Sequence, residues 1–286
     1  MKLHFIAIGV LLATFSMIEP VLADEALKLA DRLLERGHYN EAITEYKRFI
    51  FFNPEDEQFS YALYRMGLAH RAGREWQEAI DALKASVRVT QNAKVADERR
   101  ITLATTLIAS GNYNLARLEL LRVSEFGIAP SPRLRATYFG GIASLYMFDW
   151  DATEKAFGGF YSEYAGGRTA GRAGEINSVL HNARGSYKSA GLARFLSTIL
   201  PGSGQMYAGD WRDALNSLAL NSVTIGLLAN AVYRKDYMDA ALISSISMRY
   251  YMGNRYRAEV DVRKHNESMD RQNAMKILNI VREDEP

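Results

Sequence analysis

The stretch Gly37-His38-Tyr39-Asn40-Glu41-Ala42-Ile43-Thr44-Glu45-Tyr46 decides the reading of this chain, because its landmarks return at a fixed distance. Tyr39 is followed at steps of 37 residues by Trp76, Tyr113 and Trp150. Three residues beyond each stand Ala42, Ala79, Ala116 and Thr153, and nine before each stand Ala30, Gly67, Ala104 and Gly141. Seven beyond each come Tyr46, Leu83, Leu120 and Phe157. A repeat of this length is one supersecondary unit that cannot bury its apolar face alone, so neighbours stack. Small residues on two antiparallel helices let their axes approach, and the aromatic side chain is expected to fill the wedge beside that contact. Gly37 and Gly111 fall where the first helix of a unit must end, since glycine accepts a left-handed backbone. Phe148 stands at that place in the fourth unit, and Pro54 follows the second helix of the first.

The quoted stretch, continued by Asn53-Pro54, resembles the tetratricopeptide repeat, and Gly67 with Trp76-Gln77-Glu78-Ala79-Ile80 matches in the second unit. That repeat runs about 34 residues, so 37 implies a longer helix or turn, as in the envelope tetratricopeptide proteins that this array looks like. The resemblance implies an all-α solenoid of helical hairpins that presents one face to another polypeptide. Tyr64, Arg65, Arg71 and Arg100 on the first helices are candidates for that face, but ordinary solvated helix surface is the better account of them and none is taken as a site. The period extends to Gly185, Tyr187 and Ala190, which predicts a degenerate fifth unit whose second helix covers about Ser186 to Leu200. The glycine-rich run Gly166 to Gly174 reads as a connector instead.

Outward from the array, the N-terminus reads as a secretion signal. Lys2 and His4 precede the apolar run Phe5–Phe15, and Val21-Leu22-Ala23 offers small residues for cleavage, which makes Asp24 the mature start. The run is short of the roughly 20 residues that a membrane span needs. The chain has 286 residues, 48% hydrophobic and 24% charged, the composition of an ordered protein. Its net charge of +2, with bases and acids interleaved, gives no footprint for nucleic acid. The absence of cysteine excludes disulfides, thiolate metal sites and a cysteine nucleophile.

Beyond the array, Ala214–Tyr233 is twenty residues without a charge, long enough for a bilayer crossing. Asn216, Asn221 and Asn230 make such a crossing costly unless they meet partners between helices. A second segment, Tyr237–Met252, carries Asp239 and Arg249 near its ends. A buried helical hairpin in a soluble domain is the competing reading of the pair. The stretch Pro201-Gly202-Ser203-Gly204-Gln205-Met206-Tyr207-Ala208-Gly209, then Asp213, Asn221, the corner Tyr251–Ala258 with Gly253 and Asn254, and His265-Asn266, looks like a bacterial membrane domain of unknown function. That resemblance covers about residues 190–280 and implies two hydrophobic segments behind the tetratricopeptide array. Arg255 and Arg257 depart from it. Proline and close-set glycines let the chain break and another backbone approach, and Gln205 and Asn254 can satisfy the groups left open. The charges beyond the second segment favour a single crossing by the positive-inside tendency, whereas the resemblance favours a hairpin. Met269, Ala274, Ile277, Leu278 and Val281 predict an amphipathic tail helix over about 267–282.

The histidines are scattered, none at metal-ligand spacing, and His70 reads as a satisfied core residue. No nucleophile elbow, phosphate loop or carboxylate pair is recognisable, so the sequence points to no enzyme, cofactor, metal or nucleic-acid site. The organisation expected is a signal over residues 1–23, repeats over 24–164, a connector or fifth repeat over 165–189, and a helical membrane domain over 190–286. The function expected is a non-enzymatic scaffold in the bacterial envelope, with protein partners along the array and lipid around the C-terminal domain, inner-membrane associated with its repeats in the periplasm. The alternative is small-molecule or lipid transport or sensing by that domain, with the repeats as regulator.

Overall fold

A computed structural model describes residues 24–163 and 171–286, and all regular structure among them is helical. Ala23 and the rest of the signal, and most of the glycine-rich run, lie outside the described residues. The chain divides into two compact units: residues through Ala173 joined by Asp284–Pro286, and Gly174–Glu283.

The first unit is a solenoid of helical hairpins. It comprises α1 (residues 24–35), α2 (Tyr39–Phe52), α3 (Phe59–Ala72), α4 (Trp76–Val89), α5 (Ala93–Ala109), α6 (Tyr113–Phe126), α7 (Pro130–Tyr146) and α8 (Trp150–Glu163). Each periodic aromatic is the first residue of a second helix. Consecutive helices pack on one another through the whole series from α2 to α8. Apolar burial gathers in clusters along the array, one around Leu27, Ala30, Tyr46 and Phe49 and another around Leu83, Leu103, Leu120 and Val123.

Close packing is set by a pair of positions sixteen residues apart. A Cβ on Gly67 would stand 2.8 Å from Leu83 Cγ, and one on Gly141 would stand 2.9 Å from Phe157 Cζ. Ala30 with Tyr46 and Ala104 with Leu120 occupy the same two positions in the first and third units, all fully buried. The wedge is therefore filled by the residue seven beyond the periodic aromatic, a correction to the expectation. Tyr39 stays exposed, Trp76 and Tyr113 are half-buried, and only Trp150 is buried. Their place at the mouth of the turn keeps them at the rim.

Between the helices of each unit the chain makes one turn four times over. Gly37, Arg74, Gly111 and Phe148 take φ of 80°, 62°, 81° and 56°. In the first, the Gly37 amide donates to Leu34 O and the His38 amide to Leu33 O, at 3.1 and 2.9 Å. The same pair of bonds recurs at Arg74-Glu75, Gly111-Asn112 and Phe148-Asp149. These are Schellman closures, which satisfy carbonyls left open at a helix end.

The second unit comprises α9 (Arg172–Ser186, of which the unit holds the part from Gly174), α10 (Ala190–Ile199), α11 (Ser203–Ala208), α12 (Trp211–Tyr233) and α13 (Tyr237–Val281), followed by a 3-10 turn (Arg282–Asp284). The fifth-repeat expectation fails in register. Gly185 lies inside α9, the break falls at residues 187–189, and the helix opens at Ala190 instead of Ser186. Ser189 sets that start, because its side chain accepts from the Leu192 amide at 3.3 Å. The helix then packs on α13 within this unit. Two more Schellman turns appear here, at Gly209-Asp210 and Lys235-Asp236, each followed by an aromatic first residue, Trp211 and Tyr237.

No corner interrupts α13. The second apolar segment, the stretch around Gly253-Asn254 and the amphipathic tail are one helix of 45 residues. Gly253 has no atom within 4 Å of where a Cβ would stand, so nothing there depends on a bend.

Candidate functional site

In the first unit the candidate face is the row of first helices, and it is tied together by polar contacts. Asp31 on α1 is the hub. Its Oδ1 accepts from Tyr46 hydroxyl at 2.5 Å and from Arg65 Nε at 2.9 Å, while Oδ2 accepts from Tyr61 hydroxyl at 3.0 Å. Burial, reinforced by the bond to Asp31, pushes the Tyr46 hydroxyl far above the ordinary range. Burial opposes the charge of Arg65, but its contacts with Tyr46, Asp31 and Tyr61 raise its pKa overall. The next first helices are linked likewise: Tyr64 to Thr102 at 3.4 Å, Arg71 to Thr105 at 3.1 Å, and Arg135 to Glu98 at 2.5 Å. Arg100 donates to Glu119 at 2.8 Å. The candidate cations thus hold neighbouring helices in register. His70 is buried, with Nδ1 2.5 Å from Glu75 Oε2.

Near the end of the array, Asp284 accepts from Tyr161 hydroxyl at 2.9 Å and Arg172 at 2.7 Å. Burial and the nearby Glu285 and Asp284 carboxylates push Tyr138 up to about 12.

In the second unit the motif residues converge on Gln205, which is fully buried. Its Oε1 accepts from Ser197 Oγ at 3.2 Å, and its Nε2 donates to Ser217 Oγ and to the Asn254 carbonyl at 3.2 Å each, and to Asn254 Oδ1. One amide therefore joins α10, α11, α12 and α13. Gly204 makes this possible, because a Cβ there would overlap the Ala193 carbonyl oxygen, Ser197 Oγ and Ala258 Cβ. Gly202, at φ 98°, opens α11 after the break at Pro201, and a Cβ on it would overlap the Ala214 carbonyl oxygen. Gly209 supplies the left-handed turn into α12.

The other motif residues hold the segment 187–189. Asn266 accepts from the Lys188 amide and donates to its carbonyl, both at 3.0 Å. Tyr207 hydroxyl accepts from the Ser189 amide at 3.1 Å, and Lys188 Nζ donates to Ala208 O at 3.2 Å. Asn221 is buried and bonds Ser217 O of its own helix at 2.7 Å, whereas Asn216 and Asn230 face outward.

Charge gathers at one end of the α12–α13 pair. The carboxylate oxygens of Asp210, Asp213 and Asp261 lie within 4.8 Å of one another. Arg257 reaches Asp213 at 2.7 Å and Asp261 at 3.5 Å, and Lys264 lies 3.9 Å from Asp261. Burial raises the Asp261 pKa despite those cations. Hydrogen bonds from Arg194 and Arg263 lower that of Glu259.

The outward surface of this unit is apolar over a continuous band. On α10 it shows Leu192, Phe195 and Ile199; on α12, Leu215, Val223, Ile225 and Leu227; on α13 before residue 257, Leu242, Ile246, Met248 and Met252. Of the described helices, α12 is long and apolar enough to cross a membrane, with mean hydropathy 1.3 and only 11% of that window buried. After Arg257 the pattern on α13 inverts: Ala258, Val262, Ala274, Ile277 and Val281 are buried, and Arg263, Lys264 and Glu267 face out.

No family model matches the chain, and no curated protein matches it. Among solved structures it is similar to a tetratricopeptide repeat protein from Parabacteroides merdae ATCC 43184, at 15% identity and a TM-score of 0.47, over 90% of this chain and 98% of that one.

Proposed function

We propose that this chain is a non-enzymatic protein-interaction scaffold of the bacterial cell envelope, exported by its N-terminal signal and tethered to the inner membrane by Gly174–Glu283. The observation that carries the reading is the outward apolar band on α10, α12 and the first part of α13. Single apolar side chains are ordinary on a surface in water, but a band of them marks contact with lipid or with another protein. Here the unit's small and polar residues, Ala193, Ser197, Gln205 and Asn254, form the interior instead. Tight contacts between small residues and interhelical polar bonds are how helices pack in lipid. The segment 237–256 is about 30 Å long as a helix, which matches the hydrocarbon thickness. Two antiparallel crossings around the Lys235 turn return the tail to the side of the repeats. The array, whose first helices are braced against one another, suits a fixed surface for another polypeptide.

The test is extraction of the tagged full-length protein from membranes. Retention through alkaline carbonate and release by mild detergent are expected, and carbonate release would sink the tether. The scaffold is tested by cross-linking in intact cells, where the wild type should trap a discrete envelope protein through first-helix positions. Absence of any trapped protein would count against it.

A further inference from the structure

Between α12 and α13 lies a groove of about 950 Å³, lined among others by Ser217, Asn221, Ile246, Arg249, Tyr250 and Asn254. Arg257 closes one end, already engaged by Asp213 and Asp261. Arg249 is different. It is exposed, and among the described residues it forms no ion pair. It stands eight residues along α13 from Arg257 toward the Lys235 turn, about 12 Å further down the hairpin.

Two further facts bear on what this groove takes. Asn254 is buried, and its carbonyl and Oδ1 both accept from Gln205, which leaves its Nδ2 without a partner. The charged groups that line the groove are both cations, Arg249 and Arg257, while Leu220 and Ile246 continue from it as exposed apolar surface. Seven residues inside the end of the 237–256 crossing, about 10 Å, a cation is costly unless an anion meets it, and local thinning of the bilayer draws a headgroup inward to do so. A guanidinium binds the oxygens of a phosphate in a paired geometry that a single ammonium cannot offer.

We propose that this groove binds an anionic phospholipid. Its phosphate oxygens accept from the Arg249 guanidinium, with the Tyr250 hydroxyl as a neutral donor, and its acyl chains run along Leu220 and Ile246. A zwitterionic headgroup already neutralises its own phosphate, whereas a lipid of net negative charge has its charge left for the Arg249 guanidinium. The site rests on the membrane reading above but goes beyond it, since a tether requires no lipid preference.

The experiment uses the full-length protein in detergent, stripped of lipid, and native mass spectrometry with dioleoyl phosphatidylglycerol, dioleoyl phosphatidylcholine or inorganic phosphate. The wild type should retain phosphatidylglycerol at least about fivefold more than phosphatidylcholine, since both offer a phosphate but only the net anionic lipid leaves its charge for the guanidinium to neutralise. Arg249→Gln should erase the preference, and Arg212→Gln, an exposed cation outside the groove, should keep it. Arg249 is exposed and unpaired, so its variant should match the wild-type melting curve. Equal retention of the two lipids, or a preference that survives Arg249→Gln, overturns the proposal. Displacement of the lipid by equimolar inorganic phosphate overturns it too, because the groove would then serve a free anion. Carbonate release from membranes refutes the tether, whereas a membrane-retained protein indifferent to headgroup refutes the groove alone.

Discussion

Leu83 occupies the space that a side chain on Gly67 would need, with its Cγ 2.8 Å from where a Cβ would stand. A larger residue at 67 must therefore push α3 and α4 apart. Gly67→Val should lower stability by about 1–3 kcal/mol, and Leu83→Ala by about 2–5 kcal/mol. The double variant should lose less than the sum, because each change relieves the other. Urea unfolding of the four proteins checks this, and strict additivity would refute the pairing.

Arg74 holds a left-handed backbone at φ 62° that glycine adopts in the first and third units. The conformation costs a side-chain-bearing residue about 1–2 kcal/mol. Arg74→Gly should thus raise stability by about 1 kcal/mol, and Gly111→Ala should lower it by a similar amount. Thermal melts read both, and a lower melting temperature for Arg74→Gly would mean that its side chain matters more than its backbone.

Tyr46 gives the array an alkaline limit. Its hydroxyl holds its proton in the folded state well beyond the ordinary tyrosine value of 10.0. The stability tied to that proton is complete below pH 10 and is lost as pH rises from there toward the folded value. The melting temperature should fall steeply above about pH 10, and Tyr46→Phe should flatten that fall. At neutral pH the same variant should cost about 1–2 kcal/mol, from the lost bond to a carboxylate. An unchanged alkaline slope would remove Tyr46 from the account.

Gln205 touches four helices through one amide, so its loss should be felt by all of them. Gln205→Leu leaves Ser197, Ser217 and Asn254 short of partners and should cost about 1–3 kcal/mol or more in a detergent melt. A variant as stable as wild type would mean that those groups find each other without it.

The repeat was legible because packing demands it at each turn: Ala30, Gly67, Ala104 and Gly141 must be small wherever the residue sixteen later is large. The turns were only half legible. Gly37 and Gly111 announce a left-handed residue, but Arg74 and Phe148 adopt the same conformation without the residue type that signals it. The string Gly209-Asp210-Trp211 carries the array's own turn signature into the second unit and could have been found by searching for it. The Asp31 hub could not, because its partners lie 15, 30 and 34 residues away and belong to no fixed motif. The expected fifth unit failed because period alone does not fix a boundary: Ser189, a capping residue, starts the helix at Ala190. The corner expected at Gly253-Asn254 is absent for the opposite reason. A glycine among polar residues suggests a break, yet hydrogen bonds along the helix carry through it.

Since α13 has no joint from Tyr237 to Val281, its two halves share one angular phase. A single inserted residue between Lys264 and Gln272 would turn everything beyond it by about 100° and advance it by about 1.5 Å. The side of the tail that bears Ala274, Ile277 and Val281 would then swing away from the side chains that cover it. Seven inserted residues would bring that side back to within about 20° of its original bearing. The tail would still stand about 10 Å further along, so the length of this rod fixes both the bearing and the reach of its far end, and an insertion that restores one displaces the other.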